Sequence, residues 1–389
     1  MDQSEENFSN LFISFSVLFV TLLFFSQVMG NYVIKPRLYD GTLNGLGRYS
    51  FSFDAYEYIE ENSEKAIIAI GSSKMREIFD GELIGEYTIS SGDFYNLAYA
   101  GDTSYVRMIE IDSIIKSEPV MVILELGPNT FTKVDTPIKD LMRARMSLLM
   151  SLNPEWRTAS WEENLDENDK SLLPINRTEQ LEFFAEHTSE SIEKSMNYYF
   201  EDLFEVEEYK NLFETPPYSC DRNTGTVHCV PHKGSQGYDL YVKYPIQFRN
   251  SLKVIKEGKA KWTIEEFYGE NLDNYLKRSY HNPEGVLNKN QLAYEFMIQK
   301  LLENDIEVVL VGVPYNPVLI DRLSEGQWDY YNSTVSGYKN NSDITVIDYL
   351  WDKSWIDDDF NDYAHAARDG EIKFAEKIAP ALDELLVNI

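Results

Sequence analysis

The stretch that decides the fold is AIIAIG at residues 66–71, which runs directly into Ser72, Ser73 and Lys74. A short, continuous apolar run that ends at a turn residue is typical of a strand buried on both faces. The residues that follow it predict a helix over residues 73–79. A buried strand that feeds a helix favours a parallel sheet with helices packed on it.

The same alternation recurs along the chain. Further buried strands are predicted at PVMVILEL (residues 119–126), IEVVLVGV (306–313) and residues 344–349. Further helices are predicted over residues 102–117, 290–303 and 371–386, with Asp102 as the expected N-cap of the first of them. Strands separated by helices imply right-handed crossovers. The fold class is therefore α/β, with a three-layer domain around a parallel sheet.

The strand and helix pattern divides the chain into segments. We expect the α/β domain over residues 65–150 and 285–389, after a short tail (1–10), an apolar segment (11–30) and an approach segment (31–64). Residues 151–284 are acidic, rich in Tyr and Trp, and lack the alternation. We interpret them as an insertion or cap subdomain.

Residues 11–30 read LFISFSVLFVTLLFFSQVMG and contain no charged residue. At a rise of about 1.5 Å per residue, such a helix covers the roughly 30 Å hydrocarbon core of a bilayer. The preceding residues carry Asp2, Glu5 and Glu6 but none of the basic residues that begin a signal peptide. The pattern predicts one uncleaved transmembrane helix, and hence a single-pass protein of the cell membrane, over a cleaved signal peptide.

The indications on orientation conflict. Lys35 and Arg37 follow the apolar segment, which by the positive-inside rule places the rest of the chain in the cytoplasm. Asn-x-Ser/Thr sequences at Asn176, Asn332 and Asn340 are candidate glycosylation sites and favour the outside.

Composition excludes some partners and scaffolds. The chain of 389 residues has 35 Lys and Arg against 65 Asp and Glu, a formal net charge of −30, which argues against nucleic acid as a partner. Two Cys exclude a scaffold built from disulfides. Cys220 and Cys229 are a candidate disulfide, with free thiols or a zinc site that includes His228 and His232 as alternatives. The Cys/His spacing matches no familiar zinc motif, and the chain contains no His-Glu-x-x-His, P-loop or Gly-x-Gly-x-x-Gly motif. We therefore predict neither a metal nor a cofactor.

Candidate chemistry begins at Ser73. A Ser at the carboxyl end of a strand lies where open α/β sheets bind ligands. The alternative is that Ser72 or Ser73 only caps the helix. Near the C-terminus, Asp362 precedes His365 by three residues, which allows the carboxylate to orient the imidazole as a base for a Ser. The alternative is a surface His in an acidic loop.

Two turns add candidate donors for an oxyanion. Gly101 ends NLAYAG, which follows an apparent short strand, and Gly127-Pro128-Asn129 follows the strand at residues 119–126. A glycine allows close backbone approach, and Asn offers an amide donor. Ordinary turn chemistry is the alternative reading of both.

Together these four blocks resemble the SGNH (GDSL-type) hydrolase family, named for Ser, Gly, Asn and His in that order. The resemblance covers about half the chain and implies an SGNH-like fold. It also implies a nucleophile at Ser73, a base at His365, an orienting acid at Asp362, and an oxyanion hole from the backbone of Ser73 and Gly101 and the side chain of Asn129. The departures are Ser72 and Thr130, where many members have Asp. The Gly-x-Ser-x-Gly motif of α/β-hydrolases is absent around Ser73.

The resemblance also implies a function. Anchored members of the family commonly remove or transfer acyl groups on cell-surface glycans, so we expect a serine esterase or O-acyltransferase with its catalytic domain outside the membrane. Its expected partners are the bilayer, an acylated glycan or small ester, and a membrane protein that donates acyl groups. A non-catalytic envelope protein that binds or assembles surface polymers on the same fold is the alternative. A cytoplasm-facing anchored esterase is a further one.

Overall fold

A computed structural model describes a large part of the α/β domain. The described residues are 3–29, 55–56, 58–98, 102–131, 160–165, 167–170, 178, 289–322, 325–360, 362–387 and 389. They confirm the α/β prediction, because five parallel strands form one sheet in the order β2-β1-β3-β4-β5. The strands are β1 Ala66–Ile70, β2 Asp93–Asn96, β3 Met121–Leu126, β4 Glu307–Gly312 and β5 Ile344–Asp348.

Helices precede, connect and follow these strands. They are α1 Gln3–Met29, α2 Ser73–Ile78, α3 Gly81–Tyr87, α4 Ser104–Arg107, α5 Ile111–Lys116, α6 Glu167–Lys170, α7 Lys289–Leu302, α8 Pro317–Ile320, α9 Glu325–Lys339 and α10 Arg368–Leu386. Short 3-10 turns lie at Met108–Glu110, Pro128–Phe131, Glu162–Asn164 and Asp357–Asp359. Helix α10 packs against α2 and α3, whereas α7 packs against α4 and β4.

The sheet is buried most deeply at its centre. Every residue of β1 and β3 is buried, which agrees with their continuously apolar sequences. Strand β5, at one edge, is only half-buried along most of its length. Because the strands are parallel, the loops after β1, β3 and β4 all begin at the carboxyl edge of this well-packed centre.

Part of the predicted insertion packs onto the α/β domain. Trp161 is buried in the same hydrophobic core as the sheet. The Ser160 hydroxyl donates to Asp112 at 2.6 Å, and the Tyr105 hydroxyl donates to Asp169 at 2.8 Å. The described residues between 160 and 170 thus contact α4 and α5 directly.

The helix predicted over residues 102–117 begins differently from our expectation. Thr103, not Asp102, is the N-cap of α4, and its side chain accepts from the backbone N–H of Val106. Asp102 is not available as a cap because its carboxylate binds Arg107. The helix is also divided, since the 3-10 turn Met108–Glu110 separates α4 from α5.

At the N-terminus, α1 covers 27 residues and includes most of the predicted anchor. Within the described residues, no helix has the combination of length and hydropathy that a membrane crossing requires. The transmembrane helix at residues 11–30 stays a prediction.

Candidate active site

The two serines after β1 have different roles in the turn. Ser72 has an extended backbone conformation and is the N-cap of α2, with its hydroxyl accepting from the Lys74 backbone N–H at 3.3 Å. Ser73 is the first residue of the helix. Capping, the alternative that we considered for both serines, is therefore found at Ser72 and leaves the Ser73 hydroxyl to other contacts.

The Ser73 hydroxyl meets the predicted base. Ser73 Oγ lies 2.8 Å from His365 Nε2, across a sequence separation of 292 residues. The fold achieves this because β1 ends beside the loop that precedes α10, and α10 packs on α2. A hydroxyl and an imidazole nitrogen at this distance are within reach for proton transfer.

Asp362 completes the line of contacts. Its Oδ2 lies 2.8 Å from His365 Nδ1, while its Oδ1 accepts from the backbone N–H groups of Ala364 and His365, each at 2.9 Å. A carboxylate accepts only, so the proton between Asp362 and His365 belongs on Nδ1. Nε2 is then the acceptor for the Ser73 hydroxyl, which is the tautomer that a general base needs.

Burial and hydrogen bonds act in opposite directions on Asp362. Burial raises the pKa of its carboxyl, but the hydrogen bond and charge of His365, with the two backbone donors, outweigh it, and the net pKa is below its ordinary value. The carboxylate is thus held ionised beside the imidazole. The side chains of His365 and Asp362 are 23% and 14% exposed, so the pair is open to solvent on one side.

Asn316 holds the Asp362 loop in place, a role that we did not predict. Its Nδ2 donates to the backbone carbonyl of Asp362 at 3.1 Å and to Asp357 Oδ1 at 2.7 Å. Its backbone N–H donates to the carbonyl of Tyr363 at 3.0 Å. An Asn shortly after a buried strand, at the carboxyl edge of the sheet, was the only sequence signal for it.

The predicted oxyanion donors are described only in part. The backbone of Asn129 lies in the 3-10 turn Pro128–Phe131, directly after β3 and near the end of β1. Its side chain and the whole of Gly101 lie outside the described residues. Both ends of the Gly101 loop bind one guanidinium, because Arg107 donates to the carbonyl of Leu97 at 3.0 Å and pairs with Asp102 at 2.6 Å.

A small cavity of about 60 Å³ lies beside the turn at Gly71 and Ser72. Its lining residues include Ser72, Lys74, Glu125, Thr103 and Thr130. Ser73 and His365 are not among its lining residues in the described part of the chain. The cavity therefore adjoins the site on the side of the predicted oxyanion turns.

Other predicted sites have mixed outcomes. Asn332 and Asn340 are exposed, and the side-chain oxygen of Asn332 accepts from Trp351 Nε1 at 2.9 Å. Asn176, Cys220 and Cys229 lie outside the described residues. Where the chain is described, no group of three or more His, Cys, Asp or Glu residues is arranged to hold a metal ion.

The chain matches no protein-family model and no curated protein. The resemblance to SGNH hydrolases thus depends on the four sequence blocks.

Proposed function

We propose that the protein is a serine esterase or O-acyltransferase of SGNH type, with Ser73 as nucleophile, His365 as general base and Asp362 as the acid that orients the base. The observation that carries the proposal is the 2.8 Å contact between Ser73 Oγ and His365 Nε2. It is supported by the ionised state of Asp362 and by the 2.8 Å contact of its Oδ2 with Nδ1. A Ser hydroxyl becomes a good nucleophile only when an oriented base accepts its proton.

The reaction proceeds in two halves. Ser73 Oγ attacks the ester carbonyl as its proton passes to His365 Nε2, and the tetrahedral intermediate then expels the alcohol, which takes that proton. An acyl group is left on Ser73. Water or a sugar hydroxyl then attacks this acyl group and gives its proton to His365. The second tetrahedral intermediate expels Ser73 Oγ, which takes that proton back from His365, and the free acid or a new ester is released. By the family resemblance, the oxyanion is bound by the backbone N–H groups of Ser73 and Gly101 and the side chain of Asn129.

The proposed substrate is an acylated cell-surface glycan or a related small ester, outside the membrane to which residues 11–30 anchor the protein. The uncharged sequence of that segment and the exposure of its large side chains, including Phe12 and Phe24, support the anchor. The exposure of Asn332 and Asn340 is compatible with an external domain. A net charge of −30 favours neutral polymers over anionic ones.

A fluorophosphonate probe, which reacts with activated serines, tests the proposal. We expect wild-type protein and the control Ser336→Ala, which alters an exposed serine of α9, to be labelled equally, and Ser73→Ala to remain unlabelled. Labelling of Ser73→Ala to the wild-type extent would exclude Ser73 as the nucleophile. Absence of labelling in all three, with no hydrolysis of small acetyl esters, would favour the non-catalytic envelope protein.

A further inference from the structure

A buried carboxylate lies directly beneath the nucleophile turn. Glu125, next to the last residue of β3, accepts from the backbone N–H of Ser72 at 2.6 Å through Oε2. Through Oε1 it accepts from the Ser72 hydroxyl at 3.0 Å. Both donors of Ser72 are thus bound by one side chain from the neighbouring strand.

The turn is packed tightly against this carboxylate. A Cβ at Gly71 would lie 2.6 Å from both Cβ and Oε2 of Glu125, and 2.7 Å from Cβ of Met75. No side chain fits there, so only glycine lets the chain pass this close to Glu125. The close approach leaves the Gly71–Ser72 segment little freedom to shift.

Lys74 supplies the charge that a buried carboxylate needs. Its Nζ lies 3.2 Å from Glu125 Oε1, and the side chains of Lys74 and Glu125 are 8% and 6% exposed. The same ammonium lies 5.3 Å from the centre of the Tyr315 ring. Because the two charges are buried together and both are paired, neither is left alone in the interior.

The backbone that carries Glu125 is also fixed. It lies in the central strand pairing, where Leu124 is in register with Ile70 of β1. The Tyr294 hydroxyl of α7 donates to the Glu125 carbonyl at 3.2 Å. The backbone from which the Glu125 carboxylate extends is therefore fixed by the sheet and by α7.

We propose that Glu125 is a positioning residue for the nucleophile: by binding both donors of Ser72, it fixes the turn that presents the Ser73 hydroxyl to His365. The inference rests on the proposed function, since it assigns Glu125 a role in the reaction of Ser73. Bonds from N–H and O–H groups to an ionised carboxylate are stronger than neutral ones. Because the backbone N–H and the hydroxyl of Ser72 are both held, the position of the peptide between Ser72 and Ser73 is fixed.

Ser72 and Glu125 account together for one departure of this chain from the family resemblance. Where many members have Asp before the nucleophile, this chain has Ser72. Here the carboxylate next to the nucleophile turn comes from Glu125, 53 residues further along the chain. We assign Glu125 no contact with the substrate, because the Ser72 peptide lies between it and Ser73.

Three variants in the full chain test this inference. Glu125→Gln keeps the shape and one oxygen that can accept from the Ser72 N–H. The double variant Glu125→Ala, Lys74→Met removes the carboxylate without leaving a buried ammonium unpaired. Ser72→Ala removes the hydroxyl contact and leaves the ion pair intact. For each variant, the rate constant of fluorophosphonate labelling is measured across pH on the folded fraction, together with the melting temperature.

A displaced nucleophile reacts more slowly even when the protein is folded. We expect the maximal labelling rate to fall about 100-fold in the double variant, since a displacement of about 1 Å in an active site has an effect of this order. The maximal labelling rate of Glu125→Gln should lie between those of the double variant and wild type. That of Ser72→Ala should be about three- to tenfold below wild type, because the variant loses one of the two bonds to Glu125. The midpoint of the pH profile should not move, since the contacts of His365 with Asp362 are untouched.

The outcomes separate this inference from the proposed function. If Ser73→Ala is unlabelled but the folded Glu125→Gln, Ser72→Ala and double variants all react at the wild-type rate, Glu125 has no positioning role and only this inference is overturned. If Ser73→Ala is labelled like wild type, the proposed function fails and the role of Glu125 fails with it. Should the double variant not fold, Glu125→Gln and Ser72→Ala decide the question.

Discussion

Asp362 and Asp102 each bind a basic side chain at the carboxyl edge of the sheet, but the two clusters differ in what the base can do. Asp362 binds His365, which in turn contacts a hydroxyl, and this pair is partly exposed. Asp102 binds Arg107, which is 1% exposed and also pairs with the fully buried Glu110. An imidazole releases and accepts protons near neutral pH, whereas a guanidinium stays charged.

The comparison shows which carboxylate clusters are suited to chemistry. The Arg107 guanidinium pairs with Asp102 and Glu110 inside the protein. It also joins Leu97 to Asp102, so it suits a structural role. The Asp362 cluster ends at Ser73 Oγ, whose proton can pass to His365 Nε2. We therefore expect changes in the Asp362 cluster to lower activity with little effect on stability. Changes in the Arg107 cluster should do the opposite.

The largest expected effect is on the Asp362 cluster. In Asp362→Asn the amide no longer holds His365 in the tautomer that accepts from Ser73, so the rate of probe labelling should fall on the order of 10⁴-fold. The melting temperature should change little. Asp369→Asn, which alters an exposed acid at the start of α10, is the matched control and should label at the wild-type rate. If the labelling rate of Asp362→Asn fell by less than tenfold, the Asp362 cluster would have a structural role like that of the Arg107 cluster.

The opposite pattern is expected for the Arg107 cluster. Arg107→Met leaves Asp102 and Glu110 buried without their cation, so the free energy of unfolding should fall by about 3–5 kcal/mol in chemical denaturation. The labelling rate of the folded fraction should stay within tenfold of wild type. Lys353→Met, at an exposed cation, should change neither quantity. If Arg107→Met kept the wild-type free energy of unfolding but lost probe labelling, the Arg107 cluster would be the one suited to chemistry, and the comparison would be wrong.

A third carboxylate shows that an arginine partner alone does not keep an acid ionised. Burial, followed by the charge of Asp80, raises the pKa of Glu371 from 4.5 to about 8, although Arg368 contacts it. Between these values the folded state holds a proton that the unfolded state has lost, so this group makes stability fall as pH rises.

The test of this titration is Glu371→Gln. The unfolding free energy of the variant, relative to wild type, should increase as pH rises from about 4.5 to about 8, because the Gln side chain does not titrate. The exposed acid of the same helix, Glu376, provides the control Glu376→Gln, which should run parallel to wild type. A Glu371→Gln curve parallel to wild type would show that Glu371 is ionised in the folded state.

Local sequence patterns predicted the parts of the site that depend on local spacing. The apolar runs of β1 and β3 are long enough to mark buried strands, and the three-residue spacing of Asp362 and His365 lets one carboxylate reach the imidazole and two backbone N–H groups. Helix α9, by contrast, was missed because its sequence, EGQWDYYNSTVSGYK, is polar around most of its circumference.

The missed contacts are long-range ones. The bond from Ser72 to Glu125 depends on the register of β1 against β3, and the bonds from Asn316 to the Asp362 loop depend on how β4 ends beside it. No periodicity in one segment encodes such a pairing. The N-cap at Thr103 was missed for a local reason, because Arg107, five residues further along, engages Asp102 and leaves the cap to Thr103.

The central claim is that Ser73 is the nucleophile, and the most direct measurement locates the adduct. Wild-type protein labelled with the fluorophosphonate is digested, and tandem mass spectrometry identifies the modified residue. The account predicts a single adduct on Ser73, with the adjacent Ser72 in the same peptide unmodified. An adduct on Ser72 or on a residue outside this turn would contradict it.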